Sequence, residues 1–449
     1  MTANARHRTP SNSSCTPLPR RSHGPVAGLV LLLVLAGLPP AGAATRYVSL
    51  TGTHVPPFET WAQAATNVQD AIDIAVVGDE VLVTNGVYAT GGKVMSGDLT
   101  NRIAIDKAII VRSVNGPEFT IIQGASGPAT NGLDAVRCAW LSSNAALSGF
   151  TLRGGATRQT GAATEFTGGG VWCESNSASI ENCHIIENAA AWRGGGAFQG
   201  SFFRCRISRN VALGNTSQGG GIYSGIANAC EISENTAEYQ GGGLASTKAT
   251  NCSVFLNTAH WGGGGTIVVL YHCTVVDNTA KYEWGGVYQS TAINCIDYRN
   301  APDNSTGFFL YSCTSLPRGG PGNITADPQL LPDRTHLAIT SPCRGAGTNI
   351  ASIANDIDGD PRANPPSIGC DELLPLDLPA MSNTTWTNNT FTLGFQSQPG
   401  VTYQLQQTTN LAPPAVWTPA GSLVGDGAFR TLTDTAATNQ MRFYRLWLQ

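Results

Sequence analysis

Two aspartates in neighbouring units of an internal sequence repeat are the side chains best suited by type to catalyse a reaction. Adjacent coils of a repetitive fold would bring Asp277 and Asp297 near one another. Paired carboxylates are what glycoside hydrolysis requires. However, Asp297 replaces the apolar residue of its repeat at the point where the regular array ends, so a disrupted final coil is the simpler explanation. The sequence offers no Ser-His-Asp or Cys-His constellation, and catalysis therefore rests on this pair alone.

An aromatic residue stands just before the glycine triplet that closes several repeats, and such a column could bind sugar. Coils of a stacked β-structure repeat about every 4.8 Å, so the rings would form a flat platform against the C–H faces of sugar rings. The alternative is corner packing, in which the rings stack on one another and protect the edge of the core. The four candidate residues are Trp192, Tyr239, Trp261 and Tyr282.

Three aspartates near the C-terminal end of the repeats have the spacing of a calcium-binding loop. Asp356, Asp358 and Asp360 read D-x-D-x-D. In an EF-hand loop, however, the next position is Gly and the twelfth is Glu, whereas this chain has Pro361 and Ser367. Asx turns in a Pro-rich loop explain the aspartates without a metal. Calcium is thus the one cofactor that the sequence suggests, although Pro361 and Ser367 depart from the EF-hand pattern.

These candidates are positioned by a repeat of about 22 residues, which is the length of one coil of a β-solenoid. Each unit reads C-x-[IV]-x-x-N-x-A, followed by a variable corner and then by G-G-G and an apolar residue. Cys and the β-branched residue two positions later face the core, and Asn lies at the following bend, where its side chain tolerates the left-handed conformation. The repeated positions are Cys183, Cys205, Cys230, Cys252, Cys273 and Cys295, with Asn188, Asn210, Asn235, Asn257, Asn278 and Asn300.

This pattern predicts an all-β protein, a right-handed parallel β-helix in which each coil buries its apolar face against the next. The six repeated cysteines have parallel Cβ vectors and a spacing too wide for disulfides, so we interpret them as a ladder of buried thiols. Cys343 and Cys370 lie outside this ladder and are candidates for a disulfide.

The N-terminus predicts export from the cytoplasm. Arg20 and Arg21 precede an apolar run from Val26 to Leu38, and Ala41-Gly42-Ala43-Ala44 then supplies a small-residue cleavage context. The run is too short to span a membrane comfortably, and no membrane span is expected once the signal is removed. A net charge of −4 gives no reason to expect nucleic acid as a partner. We therefore expect a secreted or cell-surface protein, most simply a monomer.

The chain divides into five predicted segments. Residues 1–44 are the signal peptide, and residues 45–79 form an N-terminal cap with a short amphipathic helix that begins at a capping box, Thr66 to Gln69. Residues 80–345 are the β-helix, its first strand beginning at Glu80, and residues 346–375 are a loop-rich terminator. Residues 376–449 alternate in a way that predicts a small antiparallel β-sandwich.

The repeat unit resembles those of polymorphic outer membrane proteins and other pectin-lyase-like β-helix proteins of bacterial surfaces. The stretches Gly78-Asp79-Glu80-Val81-Leu82 and Asp356-Ile357-Asp358-Gly359-Asp360-Pro361-Arg362 are similar to β-helix proteins of the choice-of-anchor type. The resemblance implies an exported role and carries over no catalytic residue. The last 75 or so residues are too few for the membrane barrel of polymorphic outer membrane proteins.

The sequence thus favours a non-catalytic protein that binds polysaccharide or mediates adhesion to cell-surface or matrix components. Two alternatives stay open at this point. One is a polysaccharide lyase or glycoside hydrolase, because elongated β-helices can hold a sugar chain along their coils. The other is a purely structural spacer that projects the C-terminal domain.

Overall fold

The protein is known from a computed structural model that describes residues 43–125, 131–302, 305–373, 381–398, 401–411, 416–437 and 442–448. The predicted signal peptide, residues 1–44, lies outside these ranges except for its last two residues. Among the described residues, no helix is long and apolar enough to cross a membrane.

Most of the chain winds into the expected parallel β-helix, whose coils contribute strands to four sheets. Sheet 1 contains Thr45–Val48, Glu80–Val83, Ile110–Ser113, Ala146–Ser148, Ser179–Glu181, Ser201–Phe203, Ile226–Asn228, Lys248–Thr250, Val269–Tyr271, Ser290–Ile293 and Gly307–Leu310. Sheet 2 contains Gly86–Tyr88, Thr120–Gln123, Thr151–Arg153, His184–Ile186, Arg206–Ser208, Glu231–Ser233, Ser253–Phe255, Thr274–Val276, Ile296–Tyr298 and Cys313–Thr314.

The other two sheets close each coil. Sheet 3 contains Lys93–Val94, Thr100–Ile105, Val136–Leu141, Val171–Cys173, Ala197–Phe198, Ile222–Tyr223, Leu244–Ala245, Gly265–Thr266 and Val287–Tyr288. Its first strand is antiparallel to the second. Sheet 4 contains Ala189–Ala190, Val211–Ala212, Thr236–Ala237, Thr258–Trp261 and Thr279–Glu283. In a regular coil the chain passes through sheets 1, 2, 4 and 3 in that order.

The corners of the coils are made by single residues in the left-handed conformation, and the position of one corner differs from our prediction. The turn residue is the one before each repeated Asn, for example Glu234 with φ 57°. Asn235 itself is fully buried. The left-handed residue points its own side chain outward and turns the next one into the core, which is why the corner accepts Glu, Arg, Leu or Asp.

The asparagines form a hydrogen-bonded ladder inside the β-helix. Asn235 is typical: its Oδ1 accepts from the backbone N–H and the Nδ2 of Asn210, and its Nδ2 donates to Asn257 Oδ1. The glycine triplets make room for this ladder, because a Cβ on Gly221 would lie 3.1 Å from Asn235 Nδ2. Buried amides are thus satisfied from coil to coil, as burial demands.

The repeated cysteines lie in one buried column, and all six thiols are free. Cys252 Sγ, for example, donates to the carbonyl of Thr250 at 3.1 Å. Burial raises the pKa of Cys183 to about 12, which makes its thiol unreactive at neutral pH.

The expected pairing of Cys343 with Cys370 is wrong in this structure, where both are free. Their thiols point to different neighbours. Cys370 Sγ donates to Thr274 Oγ1 at 3.2 Å, whereas Cys343 lies beside Cys313.

The N-terminal cap differs in two details from the prediction. The first strand of the β-helix is Thr45–Val48, which precedes the helix and pairs in parallel with Glu80–Val83. The helix, Val68–Ile74, is capped by Asn67 rather than by a box starting at Thr66. Gln69 is free to turn inward, and its amide bonds both backbone groups of Ala104. The buried face of the helix covers the core at this end.

Residues 329–373, which we call the strap, fold back along the outer face of sheet 2. Leu337, Cys343 and Ile368 of the strap form one buried cluster with Val276 and Ile296 of the sheet. A short 3-10 turn, Ala163–Glu165, lies earlier in the chain. The strap therefore covers apolar residues on the outside of the last coils.

The C-terminal residues form two three-stranded antiparallel sheets around a common core. One sheet contains Ser382–Thr387, Thr390–Gln396 and Phe429–Asp434, and the other Thr402–Thr408, Thr418–Val424 and Phe443–Leu448. Phe395, Tyr403 and Leu405 are fully buried between them. This arrangement is the antiparallel sandwich that the alternating sequence predicts.

Candidate functional site

The structure does not bring Asp277 and Asp297 together as a catalytic pair. Asp277 lies at an outer corner, where its carboxylate accepts from Arg299 Nε at 2.9 Å and from Arg334 Nε at 2.8 Å. Burial alone would raise the pKa of Asp277, but the hydrogen bonds from Arg299 and Arg334 outweigh burial and hold the pKa below its ordinary value. Asp277 is therefore an ionised anchor for the strap.

Asp297 has a different role, at the end of the asparagine ladder. It lies in the interior beside Val275 of the preceding coil, and its Oδ1 accepts from Asn300 Nδ2 at 2.7 Å. Asn300 is the last residue of the ladder, so Asp297 supplies the acceptor that the next asparagine would have supplied. This explains why an acid replaces the inward Ile or Val of its repeat.

The three aspartates with calcium-loop spacing also point to different partners. Asp356 Oδ1 accepts from the backbone N–H groups of Asp358, Gly359 and Asp360, which is the Asx-type turn that the sequence offered as the alternative. Asp358 instead pairs with His336, Nε2 to Oδ2 at 2.8 Å. The three carboxylates therefore do not surround a common point for Ca²⁺.

The predicted aromatic column is displaced by one position at Trp261. Trp261 pairs with Gln240 and with Glu283 of the adjacent coils, so it is aligned one residue after Tyr239 and Tyr282. The cause is the run of four glycines from Gly262 to Gly265, of which Gly262 takes the left-handed corner, φ 63°. The four predicted rings consequently do not form one stack.

Two of the four predicted rings lie apart from the others. The Trp192 ring carries the guanidinium of Arg193 at 3.7 Å from its centroid and lies 5.5 Å from Phe166. Tyr239 lies two coils away, with Ser217 at the equivalent position between them. Corner packing, rather than an open platform, describes this part of the column.

A different aromatic ladder, which sequence reasoning missed, runs along the outer face of sheet 3. Trp140, Trp172, Phe198 and Tyr223 stand in register on consecutive strands, with ring centroids 3.8, 5.9 and 5.6 Å apart and planes within 18° of parallel. Each inner ring turns its faces toward its neighbours. Arg193 lies 4.7 Å from the centroid of the Tyr223 ring, at the C-terminal end of the ladder. Such a ladder stabilises the sheet and presents mainly ring edges to solvent.

A second group of rings, which we call the aromatic patch, consists of Trp261, Tyr282, Trp284 and Tyr288. Trp261 contacts Tyr282 at 5.1 Å and Trp284 at 5.3 Å, with the planes tilted by 41° and 38°. Trp284 stacks on Tyr288 at 3.8 Å. Tyr282 is 49% exposed, and the other three rings are half-buried. Because Trp261 is tilted against both Tyr282 and Trp284, the patch is not one closed stack, and it can present ring faces to a ligand.

Trp284 occupies a position that costs backbone strain. Its φ is 65°, in the left-handed region, where the equivalent residues of preceding coils are glycines such as Gly219, Gly241 and Gly262. A bulky residue there costs about 1–3 kcal/mol, and such strain is concentrated at functional sites. The signal was present in the sequence, where Trp284-Gly285-Gly286 replaces a glycine triplet.

Comparisons with known proteins agree with the fold. No family model matches the sequence, and no curated protein matches it. Among solved structures, pectate lyase Pel9A is similar with a TM-score of 0.50 at 13% identity, over 74% of this chain and 98% of that one. The chain has a pectate-lyase-like β-helix fold. At this identity the likeness shows the fold alone.

Two further solved structures match less well. A pectin methylesterase in complex with a hexasaccharide has a TM-score of 0.32 at 14% identity, over 65% of this chain and 92% of that one. Full-length tailspike protein 2 from Escherichia coli O157:H7 bacteriophage CAB120 has a TM-score of 0.32 at 11% identity, over 87% of this chain and 63% of that one.

Proposed function

We propose that this chain is an exported, non-catalytic β-helix protein that binds polysaccharide at the aromatic patch. The observation that carries the proposal is Trp284, a large ring held at a strained corner where glycine is otherwise used. Trp284 packs against Trp261 and Tyr288, but the preceding coils, which have glycine at this corner, are regular without a ring there. A ligand that packs against the ring accounts for the strain.

Carbohydrate is the class of ligand that fits the chemistry of this surface. Tilted, partly exposed tryptophan and tyrosine rings pack well against the apolar C–H faces of sugars. Lys281, whose Nζ lies 5.0 Å from the Tyr282 ring centroid, and Glu283 are exposed at the edge of the patch and can hydrogen-bond sugar hydroxyls. The similar fold of pectate lyase Pel9A supports a polysaccharide as the ligand.

The cellular setting belongs to the same proposal. The basic leader, the apolar run and the small-residue site near Ala43 support export, and the choice-of-anchor resemblance supports attachment at a bacterial surface or in its matrix. In that setting a monomer bound to polysaccharide would serve adhesion. The separation of Asp277 from Asp297 supports binding without hydrolysis.

The test uses residues 45–449 on a glycan array and in polysaccharide pull-downs. Trp284→Gly restores the glycine of the repeat, so it should abolish binding while the β-helix stays folded, because relief of backbone strain offsets the lost ring contacts. Trp261→Ala should weaken binding at least tenfold. The control is Trp172→Ala, which removes a ring of the same size from the ladder on sheet 3 and should lower stability without affecting binding.

Three outcomes would contradict the proposal. Undiminished binding by Trp284→Gly would place the site elsewhere, and loss of binding only in Trp172→Ala would assign it to the ladder. New reducing ends, or unsaturated products detected by ultraviolet absorbance, would show an enzyme. Reducing-end and ultraviolet absorbance assays on the same mixtures distinguish binding from cleavage of the polysaccharide.

A further inference from the structure

A histidine and two carboxylates converge on the strap, away from the aromatic patch. One ligand atom from each of His336, Asp358 and Asp371 lies within 4.8 Å of the other two. His336 Nε2 is 2.8 Å from Asp358 Oδ2. The histidine comes from one turn of the strap, and the two aspartates come from a later part of it. Sequence spacing does not reveal this group, because the fold of the strap assembles it.

A fourth residue orients the histidine toward the two carboxylates. His336 Nδ1 donates to Asp333 Oδ2 at 2.7 Å. The other oxygen of Asp333 accepts from the backbone N–H groups of Thr335 and His336, so this carboxylate is itself fixed. A carboxylate that accepts from one ring nitrogen fixes the ring, so that a metal can take the place of the proton on the other nitrogen, an arrangement that recurs in metalloproteins. Here that other nitrogen is Nε2.

The buried aspartate is also held in place. Asp371 is 8% exposed, and its Oδ2 accepts from the backbone N–H of Leu337 at 2.8 Å. Burial, with the added effect of Asp356 and Asp358, raises the pKa of Asp371 to about 6. Asp333 and Asp358 are about half exposed, so the group opens to solvent on one side. Three carboxylates around one imidazole leave an excess of negative charge even when the imidazole is protonated.

We propose that His336, Asp358 and Asp371 bind a divalent transition-metal ion, with Zn²⁺ as the best-suited occupant. One imidazole and two carboxylates form a mixed nitrogen and oxygen set, which suits Zn²⁺, whereas Ca²⁺ takes six to eight oxygens. The open side leaves room for water in the fourth position. This site shares only Asp358 with the calcium loop that the sequence suggested.

Metal binding would join two parts of the strap. The turn at residues 333–336 and the segment at residues 358–371 are already linked by the ion pair of His336 with Asp358 and by a hydrogen bond from Cys370 Sγ to the carbonyl of Thr335. The same strap holds Asp277 through Arg334 and Asn251 through Arg362. A bound ion would therefore raise the melting temperature of the β-helix and protect the strap from proteolysis.

The first experiment titrates the metal-free chain, residues 45–449, with Zn²⁺ by calorimetry, and in parallel with Co²⁺, whose visible absorption reports coordination geometry. We expect one equivalent of Zn²⁺ and weak or no binding of Ca²⁺. His336→Gln should abolish binding, and Asp358→Asn, at an exposed position, should weaken it strongly without risk to folding. Asp333→Asn should weaken it by about 10–100-fold, since it only orients the histidine.

A matched control comes from another surface histidine that pairs with an aspartate. His54 Nε2 lies 3.2 Å from Asp70, and its side chain is 39% exposed against 38% for His336. His54→Gln should leave zinc affinity unchanged. All variants keep the eleven cysteines of the described chain, so zinc bound by thiols would persist in His336→Gln.

Zinc affinity equal in His336→Gln and in the unchanged chain would overturn the proposal, as would the absence of saturable binding. Either result would mean that His336, Asp358 and Asp371 stabilise the strap through their ion pair and do not bind a metal. Far-ultraviolet circular dichroism of each variant checks that the β-helix is intact. Sugar binding at the aromatic patch is measured separately, so failure of one proposal is distinguishable from failure of the other.

Discussion

Replacing Asn235 by leucine would remove a middle residue of the asparagine ladder while keeping the size of the side chain. Asn235 is fully buried. Its amide makes four hydrogen bonds: it donates to Ile207 O at 2.8 Å and to Asn257 Oδ1 at 3.0 Å, and it accepts from the N–H and Nδ2 of Asn210. Leucine can make none of these bonds.

The expected loss of stability follows from which groups are left without a partner. The backbone N–H of Asn210 would stay buried without its acceptor, which costs about 1–3 kcal/mol. The other three bonds contribute about 1 kcal/mol each. Burial of the apolar leucine returns about 2 kcal/mol. The free energy of unfolding should therefore fall by about 2–4 kcal/mol.

Equilibrium unfolding in guanidinium chloride, followed by circular dichroism, measures this change as a lower midpoint at unchanged slope. Asn228→Leu is the control, because Asn228 is exposed on sheet 1 and its replacement should change stability by no more than about 0.5 kcal/mol. If both variants were equally stable, the amide ladder would not stabilise the stack, and the account of Asp297 as its terminal acceptor would fail with it.

Two further predictions concern a buried histidine and the glycine triplets. Burial, with the nearby charge of Arg362, lowers the pKa of His272 to about 3. As the pH falls below about 6.5, His272 therefore takes up a proton in the unfolded chain but not in the folded chain. The free energy of unfolding should fall by on the order of 3 kcal/mol between neutral pH and about pH 4. His272→Asn should flatten that dependence in pH-resolved thermal melts, and an unchanged slope would refute it. Gly221→Ala places a Cβ 2.6 Å from the carbonyl oxygen of Gly243 and should lower the free energy of unfolding by about 1–3 kcal/mol. Gly319→Ala is the control: its Cβ meets no atom within 4 Å, so the same thermal melts should show no change in stability.

The architecture could be predicted because the same residue pattern recurs in successive coils. Each Cys, each apolar residue two positions later and each Asn takes the same place in successive coils, so an error in one unit is corrected by the others. The exception is the corner, which we assigned to Asn and which Glu234 and its equivalents occupy. Their side chains point outward and carry no common residue type, so the sequence pattern could not mark them.

The candidate sites were harder to predict for a specific reason. Four glycines from Gly262 to Gly265 allow two alignments, and only the backbone conformation of Gly262 shows that Trp261 is shifted by one position. Three rings of the ladder, Trp172, Phe198 and Tyr223, each follow the apolar residue after a glycine triplet, so the repeat carried the signal and we overlooked it. Only Trp140 lies in a coil without this pattern. The position of each ring relative to its neighbours depends on the pairing of its strand with a strand of the adjacent coil, which is far away in sequence.

The sequence by itself determined the β-helix, because period, inward alternation and glycine corners are local properties that each coil repeats. It also supplied the leader and the composition on which the proposal of export rests. Tertiary structure decided the rest: the strap over sheet 2, the role of Asp297 as the last acceptor of the ladder, and the meeting of His336 with Asp358 and Asp371. These arise where the repeat stops, and contacts between distant, non-repeating segments leave no period in a sequence.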